Sequence, residues 1–257
     1  MKPKIVVFAD LDGTILDEHY NFSHTQPIIH QLLTLDASIV LASSKTRSEV
    51  EFYRRQLGIK DPFIVENGSA IFIPKRYFKT AFTYTKQHRQ YHVIELGMPY
   101  SEIRVKIKSI KKETGASIIG FGDMTLQEVA KDTGLPVEQA QLAKAREYDE
   151  PFRIIGGSEN EVIDAIEHEG LCYTKGGRYF HVLGNTDKGK ATVALKQLYQ
   201  SEFQKAVTIG IGDSPNDFSM FAQVDKSFII SDDKDALSCW QEILRLTRAL
   251  LRQPNNV

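Results

Sequence analysis

The apolar pattern of the chain changes character twice. Residues 5–9 form an unbroken run of β-branched, aromatic and small apolar side chains, which predicts a strand at 4–9 buried on both faces of a parallel sheet. Around 27–35, Ile28, Ile29, Leu32, Leu33 and Leu35 give a helical apolar face behind Pro27, a residue suited to a first turn. A second buried run, 39–42, follows. Thr46-Arg47-Ser48-Glu49 has the spacing of a capping box, so a helix is expected from Thr46 to Leu57, with Gly58 placed to end it. Residues 63–65 make a third short strand. Strand, helix, strand, helix, strand is the alternation that builds a parallel sheet wrapped by helices. The same texture returns near the other end: a helix at 188–199, strands at 206–210 and 227–230, a short helix after Pro215 and a final helix from about 235.

Between roughly 80 and 184 the texture differs. Strands are predicted at 91–95, 117–120, 152–155 and 178–183, and largely helical stretches at 101–113 and 125–144. The expected fold is α/β. A doubly wound, mostly parallel, Rossmann-like sheet is built from 1–79 and 185–257, and an α+β module of residues 80–184 is inserted in it.

Composition narrows the function classes. With 42% hydrophobic and 25% charged residues over 257 positions, the chain has the balance of a globular protein and not of a disordered charged tail. Its 32 basic and 33 acidic side chains leave a net charge of -1, and no long basic run supplies a local attraction, so nucleic acid is not an expected partner. No stretch approaches the roughly 18 apolar residues of a membrane span, and the 5–9 run is too short for a signal-peptide core. Cys172 and Cys239 stand without CxxC spacing, so neither a disulfide framework nor a zinc site is expected. The expectation is a cytoplasmic protein with no membrane partner; oligomeric state is left open.

A doubly wound sheet binds ligands outside the carboxyl ends of its strands, so acid and hydroxyl residues that follow buried strands are the candidates. Four places qualify: Asp10-Leu11-Asp12-Gly13-Thr14, then Ser43, then Asp187-Lys188-Gly189, then Gly212-Asp213-Ser214-Pro215-Asn216-Asp217. Two-residue spacing in extended chain turns Asp10 and Asp12 to the same side, one suited to be a nucleophile and the other a general acid. A divalent cation would keep Asp10 ionised, while Asp12, lying off the metal, could stay protonated. Magnesium suits hard carboxylate and carbonyl oxygens, and Asp213 is the natural second carboxylate. Ser43 can donate to a phosphoryl oxygen, and Lys188 can supply positive charge on the side away from the metal.

These four motifs, in this order and across the whole chain, resemble the haloacid dehalogenase superfamily of phosphohydrolases. The resemblance implies that Asp10 becomes a phospho-aspartate and that Asp12 protonates the leaving group and then activates water. It implies that Ser43 and Lys188 hold the phosphoryl group, that Asp10, the backbone carbonyl of Asp12 and Asp213 bind magnesium, and that Asn216 and Asp217 are outer supports of the metal. The position of the insertion resembles the C2-type cap of sugar-phosphate phosphatases. Ser43-Ser44-Lys45-Thr46, Glu66-Asn67-Gly68, Lys144-Ala145-Arg146-Glu147-Tyr148-Asp149-Glu150 and Gly176-Gly177-Arg178-Tyr179-Phe180-His181 are similar to the mannosyl-3-phosphoglycerate phosphatase family within it. That likeness implies hydrolysis of a phosphorylated sugar-glycerate, 2-O-mannosyl-3-phosphoglycerate, to the compatible solute mannosylglycerate. It puts Ser44, Lys45, Glu66, Asn67, Gly68, Arg146, Arg178 and His181 at the substrate. Ser43-Ser44-Lys45 departs from the Thr-Gly-Arg common in the wider cap class.

Structural readings stand beside these. Ser43 also fits a capping role, Asn67-Gly68 a turn, Asp217 a helix cap, and Arg146, Glu147 and Asp149 an ordinary charged helix end. Lys188 near a helix start opposes the helix dipole, which favours a ligand for it. Arg178 and His181 are three apart on a predicted strand, so without a bulge they face opposite sides. The alternative functions are a C2-capped phosphatase for another sugar phosphate and a non-catalytic phosphosugar sensor. The presence of both Asp12 and Lys188 favours an enzyme.

Overall fold

In the computed structural model, which describes residues 2–176 and 178–252, the chain begins β1 (Lys4–Ala9), α1 (Gln26–Thr34), β2 (Ser38–Ala42), α2 (Arg47–Leu57), β3 (Phe63–Val65), β4 (Ala70–Pro74), β5 (Lys86–His88) and β6 (Tyr91–Glu95). It continues through α3 (Tyr100–Thr114), β7 (Ser117–Gly120), α4 (Leu126–Thr133), α5 (Val137–Lys144), β8 (Asp149–Gly156), α6 (Glu159–His168), β9 (Cys172–Gly176) and β10 (Tyr179–Leu183). Then come α7 (Lys188–Glu202), β11 (Ala206–Gly212), α8 (Phe218–Phe221), β12 (Lys226–Ile229) and α9 (Ala236–Arg252). Among the described residues the larger sheet has eight strands in the order β12-β11-β1-β2-β3-β4-β6-β5. It is parallel from β12 to β3 and antiparallel beyond.

The two-residue period of a strand divides β1 between two cores. Ile5, Val7 and Ala9 pack with Ile29 of α1, Val50 of α2 and Trp240 of α9. Val6 and Phe8 pack on the other face with Leu195 and Tyr199 of α7. Helices on both faces explain why the parallel strands read as continuous apolar runs. Thr46 and Glu49 form the expected capping box, and Gly58 closes α2 at φ 71°.

The smaller sheet, β7-β8-β10-β9, is antiparallel. Ile103 and Ile107 of α3 and Val162 and Ile166 of α6 share a core with Phe152 and Val182 from this sheet. Phe121, Val129 of α4 and Ala140 of α5 make a separate apolar cluster.

Two expectations are corrected. Residues 91–95, read with the insertion, form β6, which hydrogen-bonds antiparallel to β4 in the core sheet. The helical stretch at 125–144 divides at Gly134-Leu135-Pro136, where Gly134 caps α4 in the left-handed region and Pro136 opens α5. β4, β5, β9 and α6 were not anticipated. β5 and β9 are edge strands with half-exposed residues, whose sequences carry no clear apolar period.

Trp240 is fully buried, and its indole N–H donates to the carbonyl of Thr14 at 3.0 Å, tying α9 to the loop after β1. Trp240→Phe removes that bond and shrinks the ring, and should lower the unfolding free energy in urea by about 2–4 kcal/mol. A loss below about 1 kcal/mol would show that this tie does not hold the loop.

Candidate active site

Parallel strands of one sheet end on one rim, so the loops after β1, β2, β3 and β11 converge there. Asp10 follows β1 directly; its backbone N–H donates to Ile211 of β11 at 3.0 Å and it is 6% exposed. Lys188, the first residue of α7, is 1% exposed and its ammonium donates to Asp10 Oδ1 at 2.7 Å and to Asp217 Oδ1 at 2.6 Å. The two carboxylates offset the unfavourable dipole at that helix start. Burial alone would strip the proton from Lys188, but Asp10 and Asp217 outweigh it and hold the ammonium charged.

Oxygen atoms of Asp10, Asp213 and Asp217 lie within 4.8 Å of one another. Three carboxyl groups face one ammonium, Asp10 and Asp217 buried and Asp213 exposed, so negative charge is in excess where two of the three are shut off from water. Burial pushes Asp10 up to about 8 despite the attraction of Lys188, with Asp217 and Asp12 adding repulsion. Asp213 is raised as well, by burial first. Hard carboxylate oxygens, too close to remain ionised together without a cation, fit a hard divalent ion.

Asp12 is half-exposed, and Lys45 ion-pairs with its Oδ1 at 2.9 Å. Burial disfavours the charge on Lys45, but Asp12 and Glu49 more than compensate, and the ammonium lies 5.0 Å from the centre of the Tyr20 ring. On the opposite wall, Arg146 donates to the Ser44 carbonyl at 3.0 Å and to the buried carboxylate of Asp149. His181 meets Asp149 Oδ2 at 3.0 Å. Burial and then the charge of Arg146 lower its pKa to about 3, so the ring is neutral near pH 7 and donates Nδ1–H to the carboxylate.

Asp10, Asp12, Ser44, Lys45, Asp213 and Asn216 share one cavity of about 540 Å³ with Arg146, Arg178 and His181. Lys188 and Asp217 sit behind Asp10. Ser43, Glu66 and Gly68 do not line this cavity. The Ser43 hydroxyl accepts from the Lys45 backbone at 3.2 Å, and Glu66 is taken up by backbone N–H groups of residues 147–149. Asn67 lines a separate recess of about 210 Å³ beside Lys188 and Asn216. Gly177 lies outside the described residues. Arg178 precedes β10 in a turn, so strand alternation does not apply to it, and both Arg178 and His181 reach the cavity without a bulge. Its guanidinium donates to the carbonyls of Asp132 and Thr133 at the end of α4. A larger groove of about 840 Å³ lies at the other end of β1, near Lys4, Lys205 and Arg248.

Glu49, Tyr20, Tyr179 and Ser214 also face the cavity and were not singled out as site residues. Glu49 was visible only as a cap, which its Oε2 indeed serves for the Thr46 N–H at 2.9 Å; its four-residue offset from Lys45 was the missed signal.

An α/β sheet with an acid-lined cavity at its strand carboxyl ends, roofed by a second sheet, defines the class of protein. The chain belongs to the haloacid dehalogenase-like hydrolase family, whose sequence pattern matches residues 7–123 and 138–238. It is 45% identical over 231 residues to the glucosyl-3-phosphoglycerate/mannosyl-3-phosphoglycerate phosphatase of Methanococcoides burtonii, covering 88% of this chain and 85% of that one. It is 42% identical over 229 residues to the mannosyl-3-phosphoglycerate phosphatase of Pyrococcus furiosus, covering 88% and 91%. Its fold is similar to a Thermoplasma acidophilum crystal structure, with TM-score 0.67 and 19% identity over 96% of this chain and 99% of that one. It is also similar to that of a haloacid dehalogenase-like hydrolase from Bacteroides thetaiotaomicron, with TM-score 0.62 and 15% identity over 94% and 100%.

Gly13 has φ 68°, and a Cβ there would overlap the Asp213 carboxylate. Gly58 has φ 71° and open space around the same position. Gly58→Ala should therefore cost about 1–2 kcal/mol of stability, and Gly13→Ala about 1–3 kcal/mol more through crowding. Equal losses in denaturant titration would mean that Asp213 does not pack on Gly13.

Proposed function

We propose that this chain is a magnesium-dependent phosphomonoesterase that hydrolyses mannosyl-3-phosphoglycerate to mannosylglycerate and phosphate. The observation that carries the reading is Asp10 held between Lys188 and a carboxylate cluster at the floor of a cavity whose far wall carries Arg146, Arg178 and neutral His181. A substrate with phosphate at one end, a carboxylate and sugar hydroxyls at the other suits that division of charge. Relatives at 39–45% identity bearing this activity in their names support the substrate.

In this reading Asp10 attacks phosphorus, forming an aspartyl phosphate as the bond from phosphorus to the glycerate oxygen breaks. Asp12 gives its proton to that oxygen, then takes one from the water that cleaves the aspartyl phosphate. Lys188 neutralises charge on the phosphoryl oxygens and fixes the rotamer of Asp10. Ser43 is a further candidate for phosphoryl contact, and Lys45 orients Asp12. Asp10, the Asp12 carbonyl and Asp213 would hold magnesium, with Asp217 and Asn216 behind, and the bound ion would supply charge neutralisation to the transferring group. Both Cys172 and Cys239 are free thiols, which supports a cytoplasmic setting. No helix among the described residues is long and apolar enough to cross a membrane.

A second reading extends the sugar. Two relatives, at 45% and 40% identity, are named for both the glucosyl and the mannosyl ester. Comparison of kcat/KM for the two esters decides between one epimer and both.

Asp10→Asn should reduce phosphate release by at least about 10³-fold with the fold intact, and Asp12→Ala by about 10²–10⁴-fold. Undiminished release from the first, or less than tenfold loss in the second, removes those roles.

Metal binding must displace a proton from Asp10 below about pH 8. Magnesium affinity should therefore rise by up to about tenfold per pH unit between pH 6 and 8. The sign for stability is opposite without metal: a carboxyl whose folded pKa is raised loses its stabilising protonation as pH climbs from about 4 towards 8. Magnesium should thus raise the thermal midpoint more at pH 8 than at pH 6; an equal shift at both would contradict a buried proton on the ligand set.

A further inference from the structure

The turn after β3 does not face the main cavity, yet it touches both the second sheet unit and the two segments that join that unit to the core. Glu66 is fully buried, and its carboxylate receives three successive backbone N–H groups: Glu147 at 3.0 Å, Tyr148 at 2.8 Å and Asp149 at 2.8 Å. These residues lead into β8 of the smaller sheet. The Ser69 carbonyl accepts from Leu96 and Gly97 at 2.8 and 2.9 Å, where the chain leaves the core, and the Gly68 carbonyl accepts from the Thr186 hydroxyl at 3.1 Å, where it returns. Asn67 bridges the units, giving Nδ2–H to Asp149 at 3.0 Å and accepting from Asn216 Nδ2 at 3.1 Å.

We infer that Glu66 is a positioning residue that latches the smaller sheet over the cavity and so sets the reach between Arg146 and His181 on one wall and Asp10 on the other. The inference rests on the substrate reading proposed above. Three convergent N–H groups on one buried carboxyl group, with the Arg146 guanidinium 3.6 Å from it, form a directional nest. Separating them inside the protein would leave buried carboxyl oxygens without their backbone donors, which is costly, so the two walls stay joined while the nest stays dry. Asp149 contributes one of the three N–H groups, and its side chain holds both Arg146 and His181. A shift of the nest therefore shifts the wall that would grip the sugar-glycerate end, and leaves the Lys188, Asp10 and Asp217 contacts in place.

The test compares a two-ended substrate with a small one in the unmodified chain and in Glu66→Gln. The amide keeps the size of Glu66 but loses the charge and turns an N–H group towards the nest. The ratio of kcat/KM for mannosyl-3-phosphoglycerate to that for p-nitrophenyl phosphate should fall about 10–100-fold, carried by KM. A parallel fall on both esters, or an unchanged ratio, overturns the latch. Asn67→Gly, which suits the φ of 58° at that position, removes the bridge to Asp149 and should lower the same ratio by about 3–10-fold. It decides the matter should Glu66→Gln not fold, and an unchanged ratio in it counts against the latch. Activity of the unmodified chain on the aryl ester alone would sink the substrate reading. The latch is then judged by hydrogen exchange: slow amides at 147–149 that become fast in Glu66→Gln support it, and amides already fast in the unmodified chain refute it.

Discussion

A single buried ammonium, shared between two carboxylates, holds the site together. Lys188 joins the start of α7 to Asp10 after β1, 178 positions away, and to Asp217 in the turn after β11. All three groups are nearly cut off from water, so the ammonium keeps its charge only through the acids beside it. This explains how a lysine is tolerated at a helix start and why Asp217 is buried although it lies in a surface turn. It also explains the charge excess: one ammonium cannot balance Asp10, Asp217 and neighbouring Asp213, which is the electrostatic demand for a cation.

The far wall works by a different principle. Asp149, with no exposed surface, organises Arg146, His181 and Asn67 at once. It pairs with the arginine and accepts from the ring of His181, which burial and the arginine charge keep neutral, so that wall presents directional donors more than net charge. Arg178 is steadied separately, by free carbonyls at the end of α4. Acidic side chains are thus concentrated at the rim of the parallel sheet, and the guanidinium and imidazole donors on the antiparallel side. Glu66 and Asn67 belong to the joint between them.

Local pattern alone located the parallel strands of the core sheet and the motif residues that follow them. Continuous apolar runs at β1, β2 and β3 report burial on both faces, and the capping box of α2 is a local signal. Because parallel strands end together, acids placed after β1 and β11 must share a rim whatever lies between them. Local pattern was silent on β5 and β9, edge strands stabilised by their neighbours, and it joined α4 to α5 across Pro136. Only tertiary structure decided that β6 completes the core sheet, that Arg178 escapes strand alternation by standing in a turn, and that Glu66 binds backbone in place of lining the cavity. The reason is physical: a residue's type and spacing fix what it can donate or accept, whereas its partner is set by which distant segment folding brings within about 3 Å.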